Sequence, residues 1–459
     1  MQMLRCEEIL KATGGELLSG DINAEISNVS TDSRKISPGD IFIPIEGERF
    51  DGHDFIKSAF ELGATAAITH RDAEPVKDGV LIRVGNTLKA LGDIAGYYRS
   101  KFNIPIVGIT GSVGKTSTKD MVACVLGRRF KVLKTEGNFN NEIGLPLTVF
   151  NLDSSHEAAV VEMGMSGFGE ISRLTSIARP DIVIITNIGV SHIEKLGSRQ
   201  NILKAKMEIL GGLSDRGLVV LNGDDKLLYG TRDYLSHRAV FFGMEEGMDY
   251  QAYNVKGAGE NGTYFEIALG NKEYLVHVPA PGIHNVYNAL AAFAVGVELN
   301  IPAEMIIEGI AEFIPGKMRM NIISQNGIKI INDTYNASPQ SMEAAINVLK
   351  DIGGNNRTIA ILGDMLEMGE WAAQAHVDIG RYAVSKGIDY IITAGQSGKY
   401  IARGALNSGM PDEKIFSFDT NSEVKEFVSG FVRQGDIVLV KGSRGMKMEK
   451  IVDRLLETT

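Results

Sequence analysis

Short apolar runs of β-type alternate with stretches of helical period along this chain, and the character of the alternation changes twice. Up to about residue 102, runs at 40–45, 66–69 and 80–84 predict strands, while 54–62 and 88–101 predict helices. Turn signals interrupt them, among them Ser37-Pro38-Gly39-Asp40 and Asp51-Gly52. From Pro105 a second pattern begins with the buried-strand run IVGIT, a glycine-rich loop and a helix predicted over 116–126. Apolar runs at 158–163, 181–186 and 217–222 follow with helical stretches between them, then a β-rich region at 255–278 and an alanine-rich helix at 285–299.

Pro315-Gly316 marks a second boundary, after which the alternation restarts. Strand-like runs at 328–332, 358–362, 390–394 and 437–440 alternate with helices near 341–349, 372–386, 422–432 and 446–456. Strands separated by helices imply parallel sheets covered on both faces. The expected fold is α/β in three domains: a small mixed domain at 1–102, a central parallel-sheet domain carrying the glycine loop at 103–314, and a doubly wound, Rossmann-like domain at 315–459.

Composition narrows the function classes. With 459 residues, 44% hydrophobic and 23% charged, the chain has the balance of a globular protein with ample core. A net charge of −10 and a pI near 5.5 argue against a general nucleic-acid binder. Cys6 and Cys124 are too few for a disulfide framework, so a reducing compartment is expected. The charged N-terminal stretch lacks the apolar centre of a signal peptide, and no apolar run approaches the roughly 20 residues of a membrane span, so a cytoplasmic protein is expected.

The segment GITGSVGKTS, residues 108–117, follows a predicted strand and opens a predicted helix. In such a loop, Thr110 to Ser117 (Thr110, Gly111, Ser112, Val113, Gly114, Lys115, Thr116, Ser117), backbone N–H groups and the helix N-terminus attract phosphate. Lys115 would neutralise terminal phosphates and the Thr116 hydroxyl would sit on Mg²⁺. The strict motif places a glycine where Ile109 stands. ATP is the expected nucleotide.

The variant TGSVGKT resembles the loop of the Mur ligase and folylpolyglutamate synthetase superfamily, whose members join a carboxylate to an amine using ATP. Singly, Glu162 in AAVVEMG reads as a strand-end charge, His192 in TNIGVSHIEKLG as a loop histidine, and Lys206 in KAKMEI as a solvated helix face. Together they match the family's second-magnesium site, where the glutamate and histidine are ligands and the lysine is often carbamylated. The resemblance therefore implies catalytic roles for Lys115, Glu162, His192 and Lys206, and metal ligation by Thr116, Glu162, His192 and Lys206. A carbamate turns a cation into an anion able to hold a hard divalent ion.

The string GNFNNEIGLPLT resembles a family string beside the γ-phosphate, which implies contacts from Asn140 and Asn141. HNVYNALAA, read structurally, places His284 and Asn285 as helix N-cap residues. By resemblance it holds adenine through Asn285 and Asn288. Arg319, otherwise a solvated arginine, resembles the family's linker arginine that reaches the phosphates, and Asp333 and Tyr335 in NDTYNASP match nucleotide contacts, with Asn336 lining the same cleft.

LGDMLEMGE and VLVKGSRGMKME point to acceptor-side contacts from Asp364, Lys441, Ser443 and Arg444. STDSR and EGERFDGHD resemble uridine-nucleotide segments, with Thr31, Ser33 and Arg34 as candidates; turn chemistry explains these strings equally well. The resemblance, which spans all three zones, implies an ATP- and Mg²⁺-dependent enzyme joining D-Ala-D-Ala to UDP-N-acetylmuramoyl-tripeptide, acting as a monomer on small molecules, without nucleic acid or membrane insertion. Two rivals stand beside it: a folylpolyglutamate synthetase, and a nucleotide-gated binding module that ligates nothing.

Overall fold

The computed structural model describes residues 1–47, 50–72 and 79–457. The fold is α/β with sheets rich in parallel pairings, as the alternation of runs predicts. Two compact units are present: residues 1–110, 129–184 and 205–219 form one, and residues 111–128, 185–204 and 220–459 the other.

The first unit contains a five-stranded sheet in the order Glu16–Ser19, Val80–Arg83, Ala66–Thr69, Asp40–Phe42, Asn28–Ser30. All its pairings are parallel except that of the edge strand Glu16–Ser19. Phe42, Ala59, Ala64, Ala67 and Leu81 form its core beneath the helix Ile56–Glu61. The helical signal expected at 54–62 is thus shared between a 3₁₀ turn, Gly52–Phe55, and this short helix. Glu48 and Arg49 of the EGERFDGHD string lie outside the described residues.

The same unit holds Ala158–Glu162 between Ile106–Thr110 and Val132–Lys134, parallel to both. Ile106–Thr110 and Ala158–Glu162 are buried at every position, the burial that a continuous apolar run predicts for a covered parallel strand. Ile109 is one of these core residues and pairs with Glu162. Its position belongs to the strand, so the loop proper starts at Gly111.

In the second unit the helix Lys115–Gly127 packs on the helices Ile283–Glu298 and Ala303–Ala311. The β-rich region resolves into Tyr250–Gly257, Thr263–Leu269 and Lys272–Val278, paired antiparallel in sequence. A six-stranded sheet follows, in the order Asn321–Gln325, Ile328–Asp333, Ile437–Lys441, Thr358–Gly363, Tyr390–Ala394, Ile415–Phe418. Only the first pairing is antiparallel.

The last strand of the chain is thus inserted between two earlier ones. The helix after Ile328–Asp333 contributes Met342, Ala345 and Leu349 to one face, and the helix after Ile437–Lys441 contributes Ile451, Val452 and Leu455 to the other. Adjacent strands whose connections leave to opposite faces open a crevice at their carboxyl ends. Asp333 and Lys441 stand at that crevice, in register with each other.

Candidate active site

The phosphate loop is shaped by two glycines. Gly111 has φ +150° and a side chain there would overlap the Thr186 hydroxyl; Gly114, at φ +87°, caps the helix that begins at Lys115. Between them the loop is bound to the segment Thr186 to Gly189, at the end of the apolar run 181–186. Asn187 takes the Ser112 N–H through its carbonyl at 3.0 Å and the Val113 N–H through its side chain at 3.0 Å. The Val113 carbonyl accepts from Thr186 Oγ1 at 2.6 Å and Asn187 Nδ2 at 2.9 Å, and Gly189 N–H donates to Ser112 Oγ at 2.8 Å. Lys115 Nζ donates to the Gly111 carbonyl at 2.9 Å. Thr116 and Ser117 occupy the first helical turn, at the N-terminus that attracts an anion.

The helix Ile283–Glu298 has Gly282 as its N-cap, so His284 and Asn285 lie inside its first turn and are not capping residues. Thr118 Oγ1 donates to Asn288 Oδ1 at 2.9 Å, Asn288 Nδ2 to Asn285 Oδ1 at 3.1 Å, and Asn285 Nδ2 to the Pro281 carbonyl at 2.8 Å. The two asparagines expected at adenine therefore also tie this helix to the phosphate-loop helix. Beside them, His284 Nδ1 is buried without a hydrogen-bond partner among the described residues. Burial pushes its imidazole down from 6.5 to about 4, with Asp333 opposing and Lys441 adding to the shift.

A neutral imidazole in the fold that takes a proton on unfolding makes acid favour the unfolded chain. The stability it contributes is whole above the unfolded value near 6.5 and is lost as pH falls toward about 4. His284→Gln is expected to flatten the fall of the melting temperature across that window; an unaltered slope would exclude His284 as its source.

In the first unit Glu162 is 2% exposed at the end of its strand and accepts from Asn140 Nδ2 at 2.7 Å. Asn141 Oδ1 accepts the Gly144 N–H at 2.8 Å, where the helix Gly144–Val149 starts. Lys206 is 2% exposed, so it is not a solvated helix residue. Thr110 ends its strand with a buried hydroxyl that has no hydrogen-bond partner among the described residues. Ser33 and Arg34 lie in the 3₁₀ turn Ser33–Lys35, capped by Asp32, and the Arg34 side chain, 86% exposed, pairs with Asp32 at 2.8 Å. Thr31 precedes that turn, half-buried.

His192 belongs to the second unit, with φ +63° and Nδ1 2.6 Å from Glu367 Oε2. Among the described residues no three His, Cys, Asp or Glu side chains form a metal-holding group.

At the crevice of the six-stranded sheet, Lys441 Nζ lies 2.5 Å from Asp333 Oδ2 and donates to the Asn336 carbonyl at 2.9 Å. Arg319 stacks over the Tyr335 ring with its guanidinium carbon 3.8 Å from the centroid. Asp364 Oδ1 accepts the Gly398 N–H at 2.7 Å, and Ser443 Oγ accepts the Leu366 N–H at 2.9 Å, so both shape the loop after Thr358–Gly363. Arg444 lies 3.3 Å from Glu449.

A residue missed in the sequence holds that loop from below. His376 Nε2 accepts the Met365 N–H at 2.9 Å while Nδ1 faces the Ala372 carbonyl at 2.6 Å, a pairing that requires the neutral ring protonated on Nδ1. Burial lowers its pKa in keeping with that state. Its only sequence signal is a histidine on the apolar face of a predicted helix, which core packing explains as well.

Comparison with known proteins places the chain in a family. The chain matches the Mur ligase family, catalytic domain, over 25–99, the Mur ligase middle domain over 109–296, and the Mur ligase, glutamate ligase domain, over 318–444. It is 41% identical over 435 residues to the UDP-N-acetylmuramoyl-tripeptide–D-alanyl-D-alanine ligase of Bacillus subtilis, covering 94% of each chain. The crystal structure of MurF from Acinetobacter baumannii superposes with a TM-score of 0.92 at 32% identity, covering 100% of this chain and 99% of that one. MurF ligase from Thermotoga maritima in complex with ADP gives 0.84 at 28% identity, covering 94% and 97%. With its glycine loop, its strand-end carboxylates and matches to the family's catalytic, middle and C-terminal models, the chain belongs to the Mur ligase family.

Proposed function

We propose that this chain is the ATP-dependent ligase that joins D-alanyl-D-alanine to UDP-N-acetylmuramoyl-tripeptide, forming ADP and phosphate in peptidoglycan precursor synthesis. The observation that carries this is the near end-to-end match to the Bacillus subtilis ligase of that name by a chain whose glycine loop is braced for phosphate. The tripeptide carboxylate attacks the γ-phosphorus of ATP, an acyl phosphate forms and ADP leaves. The dipeptide amine then attacks the acyl carbon, and phosphate leaves. Lys115 and Arg319 stabilise charge on the phosphoryl group during transfer. Asn285, Asn288, Asp333 and Tyr335 hold the nucleoside, Asn140 and Asn141 the γ-phosphate side, and Asn336, Asp364, Lys441, Ser443 and Arg444 the acceptor side. Thr31, Ser33 and Arg34 hold the uridine nucleotide.

By chemistry, Thr116, Glu162, His192 and a carbamylated Lys206 would offer hydroxyl, carboxylate, imidazole and carbamate donors, a set suited to Mg²⁺. An ion held by these residues would add positive charge beside the transferring phosphoryl group. We assign 1–102 to uridine-nucleotide binding, 103–314 to ATP binding and 315–459 to the acceptor together with further nucleotide contacts, in a monomeric cytoplasmic enzyme. No helix among the described residues is long and apolar enough to cross a membrane.

The test is ADP release with D-Ala-D-Ala plus UDP-N-acetylmuramoyl-tripeptide, against folate plus glutamate and against nucleotide alone. Release confined to the first mixture is expected; equal release in all three would refute ligation. In the same assay Lys206→Ala is expected to lose activity and to regain part of it with added short carboxylates. Full unaided activity of that variant would remove the carbamate from the mechanism.

A further inference from the structure

The turn Asn222–Asp225 ends one strand and enters the short helix Lys226–Tyr229, and its side chains reach three separate parts of the nucleotide-side framework. Asn222 Nδ2 donates to the Thr186 carbonyl at 3.0 Å. Asp225 Oδ2 accepts the Ile188 N–H at 2.7 Å, while the other side of the same residue, the Ile188 carbonyl, takes Arg199 at 2.7 Å. Thr186 to Gly189 is the segment that binds Ser112 and Val113 of the phosphate loop. Asp224 points the other way, accepting from Tyr287 Oη at 2.8 Å on the helix Ile283–Glu298. Burial and the Asp224 carboxylate push the Tyr287 phenol up, which keeps it a donor.

The circuit closes through Thr118 and Asn288, because Asn288 follows Tyr287 and takes its bond from the phosphate-loop helix. Two adjacent carboxylates thus hold two different elements, Asp225 the segment that binds the phosphate loop and Asp224 the helix that carries Asn285 and Asn288. We propose that Asn222, Asp224 and Asp225 are positioning residues that fix the phosphate loop and the base-side helix relative to each other for binding of an adenine nucleotide. Asp225 governs the phosphate end and Asp224, through Tyr287, the base end. None of the three touches the reacting atoms. The proposal rests on the nucleotide reading above, and concerns how the chain presents that site.

Asp225 also caps its helix, accepting the Leu227 N–H at 3.0 Å through the other carboxylate oxygen. Asp225→Ser retains a capping oxygen and removes the one that faces Ile188. Tyr287→Phe removes a single hydroxyl. Calorimetric titration of full-length wild type and both variants with ADP and with inorganic tripolyphosphate separates the two ends.

Asp225→Ser is expected to weaken both ligands about tenfold, the scale of one hydrogen bond to a charged group. Tyr287→Phe is expected to weaken ADP while binding tripolyphosphate as wild type does. Both should raise KM for ATP more than they lower kcat. Tyr287→Phe carries the test by itself where Asp225→Ser does not fold. Equal loss of both ligands in Tyr287→Phe, or wild-type titrations for both variants, would overturn the proposal. A wild-type chain that does not bind ADP would overturn the nucleotide reading, and the proposal with it.

Discussion

Lys115→Ala is expected to slow ADP release by about 10²–10³-fold with both substrates present, the cost of removing one preorganised charge from a phosphoryl-transfer site. The ammonium rests 2.9 Å from the Gly111 carbonyl, on the loop whose bound phosphate it would neutralise. The bonds from Thr186, Asn187 and Gly189 that shape the loop do not involve it, so the melting temperature should stay near wild type. Lys115→Arg should not restore the rate, because a planar guanidinium replaces a compact charge in a loop closed around the narrower group. Wild-type turnover by Lys115→Ala, measured as ADP formed per enzyme, would remove this lysine from the chemistry.

Lys441→Ala should act on stability as much as on activity. Lys441 is 1% exposed and pairs with the Asp333 carboxylate, itself buried, at 2.5 Å. Deleting the lysine strands that carboxylate, which typically costs about 3–5 kcal/mol. The remaining bond to Asp333 in that direction, from the Met320 N–H at 3.2 Å, is too weak to replace an ammonium. Trp371 is the single tryptophan of the chain and lies near this sheet's acceptor-side loop, so its fluorescence in a urea titration reports the region. A midpoint shifted well below wild type is expected, with partial recovery when Asp333→Asn is added. An unshifted midpoint would show that the pair contributes no net stability.

This pair also shows where sequence reasoning stops. Asp333 was legible as a strand-end carboxylate and Lys441 as a strand-end lysine, each assigned to a ligand. Their bond to each other was not legible, because the residues are 108 positions apart and meet only through strand insertion. Lys206 makes the same point: its string is polar and helical, the pattern of a solvated face, yet the fold buries it. The asparagines of HNVYNALAA were found by resemblance, but their bonds to Thr118 and Pro281 require the helix to lie against the phosphate-loop helix. Asn187, Asn222, Asp224 and Asp225 end or follow apolar runs at a strand's carboxyl edge, a position that does not single them out, since polar residues there also serve ordinary turns.

What the sequence determined by itself is local. The apolar runs specify buried parallel strands, Gly111 and Gly114 specify a loop that only glycine accommodates, and the helix after them turns its N-terminus toward a bound phosphate. These follow from backbone sterics and burial within a few residues. Tertiary structure alone decided which polar groups meet: Thr118 with Asn288 across 170 positions, Ser112 and Val113 with the segment after Ile182–Ile185, and Asp333 with Lys441. A strand's pattern states that it is buried, but not which neighbour it takes. Strand order and helix packing set that choice, and with it every long-range hydrogen bond that turns a glycine loop into a held nucleotide site.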